Sequence, residues 1–458
     1  MGKKMLVVIS MLIFLISGII QAQDPQPGAD SIGDPFYLLM GNGGYDVQHY
    51  NLDLSVEMRS NVIIGVTTIE IVATQDLSSF NLDFIGFQIA DILLDGESAE
   101  FSRDGQELTI TPVEPLLNGD TFIVDVFYSG VPVTVSDPSL YDNGWLRLNS
   151  GSYAFGEPIG ASTYYPVNEH PLDKATYSFR VTVEEPLMVA ANGLLQEVIN
   201  NDDKTITYLW ESEYPMASYL ATVNISFFVL IEQDGPNGLP IRYYFPPDLD
   251  SEMTTPHRRT AEMIAFFSEF FGPYPFESYG IVVMDEPFPS ALETQTLSLF
   301  GRSTSELVAA HELSHQWFGD SVSISTWQDI WLNEGFATYA EVLWVEYRLG
   351  IDARDSYVDD LYSEMLFLQL SAPGNPSPDD LFNASVYTRG GLTLHALRVL
   401  VGDEVFFQIL KTYYERYAYG NTSTAEFIAV AEELSGVDLE QFFQTWLYED
   451  DIPEYPES

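Results

Sequence analysis

The sequence contains no cysteine among its 458 residues. Disulfide bonds, thiolate catalysis and lipid attachment through an N-terminal cysteine are therefore excluded. Positive charge is also scarce, because 18 Lys and Arg residues stand against 68 Asp and Glu residues, for a formal net charge of −50. Such a surface repels phosphate, so the composition strongly disfavours a nucleic-acid partner. Adaptation to salt or acid and simple solubility explain this charge equally well.

Long apolar runs are absent beyond the N-terminus, where residues 5–20 follow Lys3 and Lys4. A positive start, a short apolar stretch and a small residue at Ala22 are typical of a secretory signal peptide, predicted here as residues 1–22. The run is shorter than the roughly 20 residues of a spanning helix, and an uncleaved anchor is the alternative. We therefore expect a secreted or extracytoplasmic protein with no membrane span after signal cleavage.

The rest of the chain is too long for one ordinary domain and shows two patterns. Residues 23–44 are rich in Asp, Pro and Gly, which predicts a linker. Over residues 45–247 apolar and polar residues repeatedly alternate, as at Tyr50, Leu52 and Leu54. This period of two predicts an N-terminal antiparallel β domain.

From residue 248 onward the apolar spacing becomes helical and predicts a mainly helical domain over residues 248–458. One predicted helix buries Met263, Ile264 and Phe267 and stops at Gly272. Together the two patterns predict a multi-domain α+β protein.

A candidate metal site lies within residues 303–320, which read STSELVAAHELSHQWFGD. Ser303 and Glu306 have capping-box spacing, which predicts a helix that starts there. His311 and His315 are four residues apart on this helix, so their imidazoles can share one zinc ion. Glu312 reaches the same cleft without being a ligand, and a carboxylate there can take a proton from metal-bound water.

A catalytic zinc ion needs a third protein ligand and an open fourth position. Glu334 comes after His315 in the chain and lies in the segment WLNEGFATYAE. This segment is also predicted to be helical. A second helix that crosses the first would aim Glu334 at the metal. Glu341, in the same segment, either orients a ligand or lies on the helix surface. A bare H-E-x-x-H also arises by chance, so the second segment strengthens the hypothesis.

These segments resemble the aminopeptidase N-type zinc peptidases, the gluzincin family that also includes leukotriene hydrolase. The shared segments are HELSHQWFGD, NEGFATY, FGPYPF, VYTRGGLTLHALR and YYPVNEHPLDKATY. The resemblance extends over most of the chain, from Tyr45 to Tyr448. It implies that a thermolysin-like, mainly helical zinc peptidase domain follows the β domain.

The resemblance also implies a role for each matching residue. One zinc ion per chain would be bound by His311, His315 and Glu334, with Glu312 as general base. Tyr387 would donate a hydrogen bond to the oxyanion. Glu293 would bind the free α-amino group of the substrate, Glu157 would be a second anchor for that group, and Ala291 would belong to the substrate-binding segment.

Two departures from the family pattern bear on function. The substrate segment keeps Glu293 but carries Ser290, Leu292 and Thr294 where the family has Gly, Met and Asn. The sequence given ends soon after Tyr448, so we expect it to be without the C-terminal helical domain of larger members, which leaves the oligomeric state and the access of long peptides open.

We therefore expect a secreted zinc aminopeptidase that hydrolyses peptides with a free N-terminus by means of a metal-activated water. A secreted thermolysin-like zinc endopeptidase is the alternative within catalysis. A catalytically silent peptide-binding protein is the alternative of another class, although no ligand or base is lost here.

Overall fold

The alternating segments form long strands whose two faces differ in burial. The structure is a computed structural model that describes residues 24–250, 254–285 and 291–455. Strand Tyr45–Glu57 buries every second side chain along most of its length, as its sequence predicts. Strands Thr121–Gly130 and Ala175–Glu184 show the same alternation. The predicted signal peptide lies outside the described residues.

An eight-stranded sheet forms the centre of the β domain. Its strands, in spatial order, are Leu194–Asn200, Thr205–Met216, Ala175–Glu184, Tyr45–Glu57, Val62–Ala73, Thr121–Gly130, Gln88–Leu94 and Glu97–Ser98. The antiparallel prediction is confirmed for every neighbouring pair but one. Strand Ala175–Glu184 runs parallel to Tyr45–Glu57, because the long chain between them returns to the same end of the sheet.

Two smaller sheets complete the β domain. One consists of Gln26–Pro27, Leu77–Asp83, Glu107–Thr111 and Glu100–Asp104, and it packs on the large sheet through the rings of Phe80 and Phe122. The other consists of Thr134–Asp137, Tyr141–Arg147, Gly151–Phe155, Val223–Ser226 and Met188–Ala191. Short 3-10 turns at Ala161–Thr163 and Ser218–Leu220 lie between strands of this sheet and strands of the eight-stranded sheet.

A third smaller sheet, called the third sheet from here on, joins the two halves of the chain. Its strands, in order, are Val229–Asp234, Pro240–Phe245, Tyr279–Val283, Ser298–Phe300 and Ala291–Leu292. Strand Pro240–Phe245 pairs in parallel with Tyr279–Val283 of the helical part. The break between the sheets therefore falls after Ser226 and before the boundary predicted at residue 247. Period-two patterning identifies a strand but does not reveal which sheet it joins.

The second half of the chain is mainly helical, as predicted. Its α-helices are α1 (Thr260–Phe270), α2 (Glu306–Ser314), α3 (Trp331–Leu349), α4 (Ile351–Leu368), α5 (Gly390–Val401), α6 (Asp403–Tyr417), α7 (Thr424–Ser435) and α8 (Glu440–Phe443). Short 3-10 and π turns lie at Pro236–Gly238, Thr255–His257, Trp327–Asp329, Ser385–Arg389 and Gln444–Tyr448, and Ser323–Ile324 pairs with Asn421–Thr422. Across the described residues, every helix is too short or too polar to cross a bilayer.

Helix α2 begins later than its sequence suggested. Ser305, rather than Ser303, is its N-cap, and the Ser305 hydroxyl accepts a hydrogen bond from the Val308 N–H at 3.1 Å. The capping-box spacing of Ser303 and Glu306 is therefore not used, because Glu306 is already the first residue of the helix.

The segment predicted as a linker makes specific contacts with both halves of the chain. The buried Asp34 carboxylate lies 3.1 Å from Nε2 of His170 in the β domain. The same carboxylate accepts a hydrogen bond from the backbone N–H of Trp327 at 2.9 Å. Tyr37 packs its ring edge-on against Trp327. Residues 24–44 thus belong to the packed structure.

Helix α3 and the start of α5 approach each other closely enough for their backbones to touch. A Cβ atom added to Gly335 would lie 2.9 Å from the carbonyl carbon of Gly390. Only glycine at both positions permits this crossing without displacement, since real Cβ contacts are longer. The crossing places the turn that precedes α5 beside the first turn of α3.

Candidate active site

The three predicted metal ligands converge on one point. His311 and His315 lie at the end of α2, and Glu334 lies in the first turn of α3. Oε2 of Glu334 is 3.2 Å from Nε2 of His311 and 3.6 Å from Nε2 of His315. Ligands held at about 2.0–2.2 Å from a zinc ion are separated by similar distances. The donor set and spacing therefore fit one zinc ion.

Neighbouring acceptors fix the orientation of both imidazoles. Nδ1 of His311 lies 2.9 Å from the Glu341 carboxylate, which also accepts a hydrogen bond from the Tyr357 hydroxyl at 2.6 Å. Nδ1 of His315 lies 3.2 Å from the carbonyl oxygen of Phe318. Because both Nδ1 atoms face acceptors, they carry the protons and leave the Nε2 lone pairs for a metal.

Burial and charge in the site favour a cation. Burial alone would raise the pKa of Glu334, but His315 and His311 lower that pKa to about 2. Burial alone would lower the pKa of His311, yet Glu334 and Glu341 raise it well above its usual range. The Glu334 carboxylate is thus ionised, and the neighbouring carboxylates favour a positive charge on or beside the imidazoles. A divalent metal would supply that charge.

Glu312 lies in the same cavity and is 6% exposed. Its carboxylate falls within 4.8 Å of ligand atoms of Glu293 and His315. Burial raises the pKa of Glu312 to about 8, although His311 and His315 lower it. A bound metal cation would lower this pKa further, because a nearby positive charge favours the carboxylate. A buried carboxyl group in this position can exchange a proton with a group held at the metal ligands.

Glu157 and Glu293 form a second acidic group beside the metal ligands. One carboxylate oxygen from each, together with one of Glu334, lie within 4.8 Å of one another. Burial raises the pKa of Glu157 well above its usual range, and Glu293 raises it further. Oε1 of Glu157 and Oε1 of Glu293 are buried without a hydrogen-bond partner among the described residues. A donor group placed between the two residues, above all a cationic one, would satisfy these oxygens.

Two residues of the HQWFGD segment connect helix α2, here called the metal helix, to its surroundings. The Gln316 side chain donates to the carbonyl of Glu293 at 3.0 Å and accepts from the Thr296 N–H at 2.8 Å. Gly319 has φ of 135°, and an added Cβ would lie 3.2 Å from Nδ1 of His315. Gln316 therefore holds the backbone that carries Glu293, and Gly319 leaves room for the imidazole.

Tyr387 lies in the π turn Ser385–Arg389, just before α5. Its ring stacks near that of His311, with centroids 6.0 Å apart and an interplanar angle of 23°. The contact between Gly335 and Gly390 brings this turn beside Glu334. Burial raises the pKa of Tyr387 well above its usual range, and Glu334 raises it further. The phenol is consequently a neutral hydrogen-bond donor.

All the sequence-predicted site residues line one cavity of about 560 Å³: Glu157, Ala291, Glu293, His311, Glu312, His315, Glu334 and Tyr387. Leu140, Thr304 and Val308 also line it and were not predicted. Glu341, left open between two roles, contacts His311 directly. Its position seven residues after Glu334 places both on one face of α3, and that spacing was the available signal.

The chain combines a β domain with a helical domain, and its buried site places two His and one Glu beside a further glutamate. This combination is the architecture of a two-domain metallopeptidase. Comparison with known proteins agrees. The Peptidase M1 N-terminal domain matches residues 46–220, and the Peptidase family M1 domain matches residues 257–446. The M1 zinc metallopeptidase from Deinococcus radiodurans has a similar structure, with a TM-score of 0.88 and 32% identity over 93% of this chain and 99% of that chain.

The chain belongs to peptidase family M1. Membership identifies the metal as a single zinc ion and confirms the predicted fold class. A variant of the Deinococcus radiodurans enzyme bound to a Tyr-Ser-Ala substrate is equally similar, with a TM-score of 0.88 and 31% identity over the same shares of the two chains.

Curated relatives are more distant and longer. Aminopeptidase M1 from Arabidopsis thaliana is 24% identical over 89% of this chain, and glutamyl aminopeptidase from Bitis rhinoceros is 24% identical over 87%. The chain spans about half the length of these relatives, 50% and 46% respectively.

Proposed function

We propose that the protein is a zinc-dependent aminopeptidase that removes the N-terminal residue of peptides. The observation that carries this proposal is the pair of buried carboxylates, Glu157 and Glu293, beside the Glu334 ligand. A free α-ammonium group carries a positive charge and three N–H donors. It would supply the hydrogen-bond donors that Oε1 of Glu157 and Oε1 of Glu293 do not have among the described residues. Binding it there would hold the first peptide bond, and no later one, near the metal.

The chain's own residues suit the hydrolytic step. His311, His315 and Glu334 would hold zinc, which when bound polarises a carbonyl group and acidifies water. Glu312 would take the proton of the attacking water and pass it to the departing amine. Tyr387 would donate a hydrogen bond to the scissile carbonyl oxygen as negative charge develops there.

The strand Ala291–Leu292 gives the substrate a surface to follow. It forms one end of the third sheet and lies next to Ser298–Phe300. Ala291 lines the cavity, and Glu293 follows the strand directly. An extended peptide could add to this edge by backbone hydrogen bonds, as peptides do at other sheet edges. The peptide backbone would then run from the carboxylate pair past the metal.

The decisive experiment compares aminoacyl-arylamides with their N-acetylated forms, with and without a chelator. Acetylation removes the ammonium and leaves a buried carboxylate unpaired, which costs about 2–5 kcal/mol. Free substrates should therefore be favoured by roughly 30-fold or more in kcat/KM. Chelation should abolish the activity. Equal cleavage of acetylated peptides at internal bonds would show an endopeptidase instead.

We further propose that the protein is exported and that residues 1–22 are removed as a signal peptide. The Lys3–Lys4 start, the short apolar run and Ala22 support this. N-terminal sequencing of protein recovered from the native source tests it. A mature chain that still carries residues 1–22 would contradict cleavage.

A further inference from the structure

Residues 168–174, here the connecting segment, contact both the turn that follows Glu157 and the turn that follows the metal helix. The segment lies in the β domain between strands Gly151–Phe155 and Ala175–Glu184. It contributes nothing to the lining of the cavity. Two of its side chains, Glu169 and Lys174, instead contact the backbone that carries the site residues.

Internal and external hydrogen bonds hold the connecting segment in one conformation. Asp173 accepts from the Val47 N–H at 3.0 Å and from the Asn168 side-chain amide. The Glu169 N–H donates to the Asp83 carboxylate at 2.9 Å. The Leu172 N–H donates to Nδ1 of His170 at 3.1 Å. Because the segment is fixed at these points, a displacement at one end would also displace the other end.

At one end, the buried Glu169 carboxylate holds the turn that follows Glu157. Oε1 of Glu169 accepts hydrogen bonds from the N–H of Gly160 at 2.5 Å and of Ser162 at 3.3 Å. An ionised acceptor on backbone N–H groups forms a stronger bond than a neutral one. Gly160 lies only three residues after Glu157, so its position limits where the Glu157 carboxylate can point.

The backbone before Glu157 is equally confined. A Cβ on Gly156 would lie 2.5 Å from the carbonyl oxygen of Tyr219. A Cβ on Gly160 would lie 2.7 Å from the backbone nitrogen of Gly144. Gly156 therefore packs against the 3-10 turn Ser218–Leu220, and Gly160 packs against strand Tyr141–Arg147. Glu169 supplies the polar contact that keeps the second of these glycines in place.

At the other end, Lys174 holds the turn that follows the metal helix. Its ammonium group donates to the carbonyl oxygens of Asp320 at 2.8 Å and Ser321 at 3.0 Å. The Asp320 N–H in turn donates to the carbonyl of His315 at 3.0 Å. The carbonyl of Phe318, in the same turn, faces Nδ1 of His315. Lys174 thus acts on the backbone that orients a metal ligand.

We propose that Glu169 and Lys174 are positioning residues that set the distance between the Glu157 carboxylate and the metal helix. This inference rests on the proposed aminopeptidase function, in which that distance decides which peptide bond reaches the metal. Glu169 governs binding of the substrate N-terminus, and Lys174 governs the orientation of His315. The two residues should therefore affect different kinetic parameters.

Three variants test the proposal in the full-length zinc-loaded protein. Glu169→Leu removes the acceptor, and Glu169→Asp keeps the charge but shortens its reach. Both should raise KM for a free aminoacyl-arylamide by at least about tenfold, because a displaced Glu157 carboxylate weakens a charged contact with the substrate ammonium whose complete loss costs roughly 30-fold or more. Both should also shrink the preference over the acetylated substrate, with zinc content unchanged. Lys174→Met should lower kcat by at least about tenfold with KM little changed.

A matched control separates positioning from general stability. The Glu432 carboxylate also accepts a backbone hydrogen bond, from the Leu439 N–H at 2.9 Å, but Glu432 lies outside the cavity lining. Glu432→Leu should lower the melting temperature without moving KM or the preference for free N-termini. If Glu169→Leu does not fold, Glu169→Asp decides.

The outcomes distinguish this proposal from the proposed function. If the wild type lacks a preference for free N-termini, the aminopeptidase function fails. If the wild type has that preference but Glu169→Asp keeps wild-type KM and selectivity, the positioning role of Glu169 is overturned. Equal loss of kcat in the Glu169 and Lys174 variants, with KM constant, would reduce both residues to structural ones.

Discussion

The close contact between Gly335 and Gly390 predicts that one substitution can lower activity strongly while it changes stability little. In Gly335→Ala, the new Cβ would lie 2.9 Å from the carbonyl carbon and 3.0 Å from the Cα of Gly390. Ordinary carbon contacts lie at about 3.5–4.0 Å, so helix α3 and the start of α5 must separate by roughly 0.5–1 Å.

The effect on stability should be small because two contributions oppose each other. Alanine in a helix interior is favoured over glycine by about 1 kcal/mol. Overpacking of a closely fitted contact costs about 1–3 kcal/mol. The net loss should therefore stay below about 2 kcal/mol, and the protein should still fold.

The effect on turnover should be large, because the displaced elements carry Glu334 and Tyr387. A misplacement of about 1 Å can lower the rate about 100-fold. We therefore expect kcat/KM for an aminoacyl-arylamide to fall by about 100-fold, while the denaturation midpoint changes little. Gly420→Ala is the control, since its added Cβ meets nothing closer than 3.4 Å.

A double variant locates the effect. If the displacement acts through Tyr387, then Gly335→Ala should cost much less in a Tyr387→Phe background than in the wild type, because coupled residues are not additive. Wild-type kcat/KM in Gly335→Ala would refute the geometric reasoning. An undiminished loss in the double variant would show that the displacement acts through Glu334 instead.

Further predictions address the metal, the base, the phenol and the surface. Glu334→Ala should weaken zinc binding by more than the 10–100-fold typical of outer-shell changes, and full zinc retention in elemental analysis would contradict its role as a ligand. Glu312→Gln should keep zinc but lose turnover by about 10²–10⁴-fold, and more than about a tenth of the wild-type rate would indicate another base. Tyr387→Phe should lower kcat by about 10²–10³ with KM little changed, whereas an unchanged kcat would assign it to packing. If the charge of −50 reflects salt adaptation, the melting temperature should rise between dilute buffer and molar salt, and a flat curve would favour solubility.

Local features of the site could be predicted from the sequence. His311, Glu312 and His315 lie within one helical turn, so their spacing alone places them together. The prediction of Glu334 as a ligand required a second helix and an assumption about how the two helices cross. The sequence pattern predicted the helix, the need of zinc for a third ligand suggested the crossing, and the resemblance to a family supported both.

Features that depend on distant contacts could not be predicted in this way. Glu157, Glu293 and Tyr387 lie on a β-domain turn, a sheet edge and a π turn, which no short-range spacing relates. They came only from the resemblance. Glu169 contacts backbone N–H groups of a nearby turn, and Lys174 contacts backbone carbonyl groups in a distant part of the chain, so no helix or strand period relates either residue to its partner. The pairing of strand Pro240–Phe245 with Tyr279–Val283 also joins distant parts of the chain, and the sequence pattern did not indicate it.

The third sheet also limits how this protein can be divided for experiments. In that sheet, strand Tyr279–Val283 lies between Pro240–Phe245 and Ser298–Phe300. A catalytic fragment that began at residue 248 would strip one side of Tyr279–Val283 and turn a fully buried strand into an open edge. Exposed apolar edges recruit other chains and promote aggregation. A fragment intended for expression should therefore begin before Val229, and exchange of β domains between relatives should place the junction there.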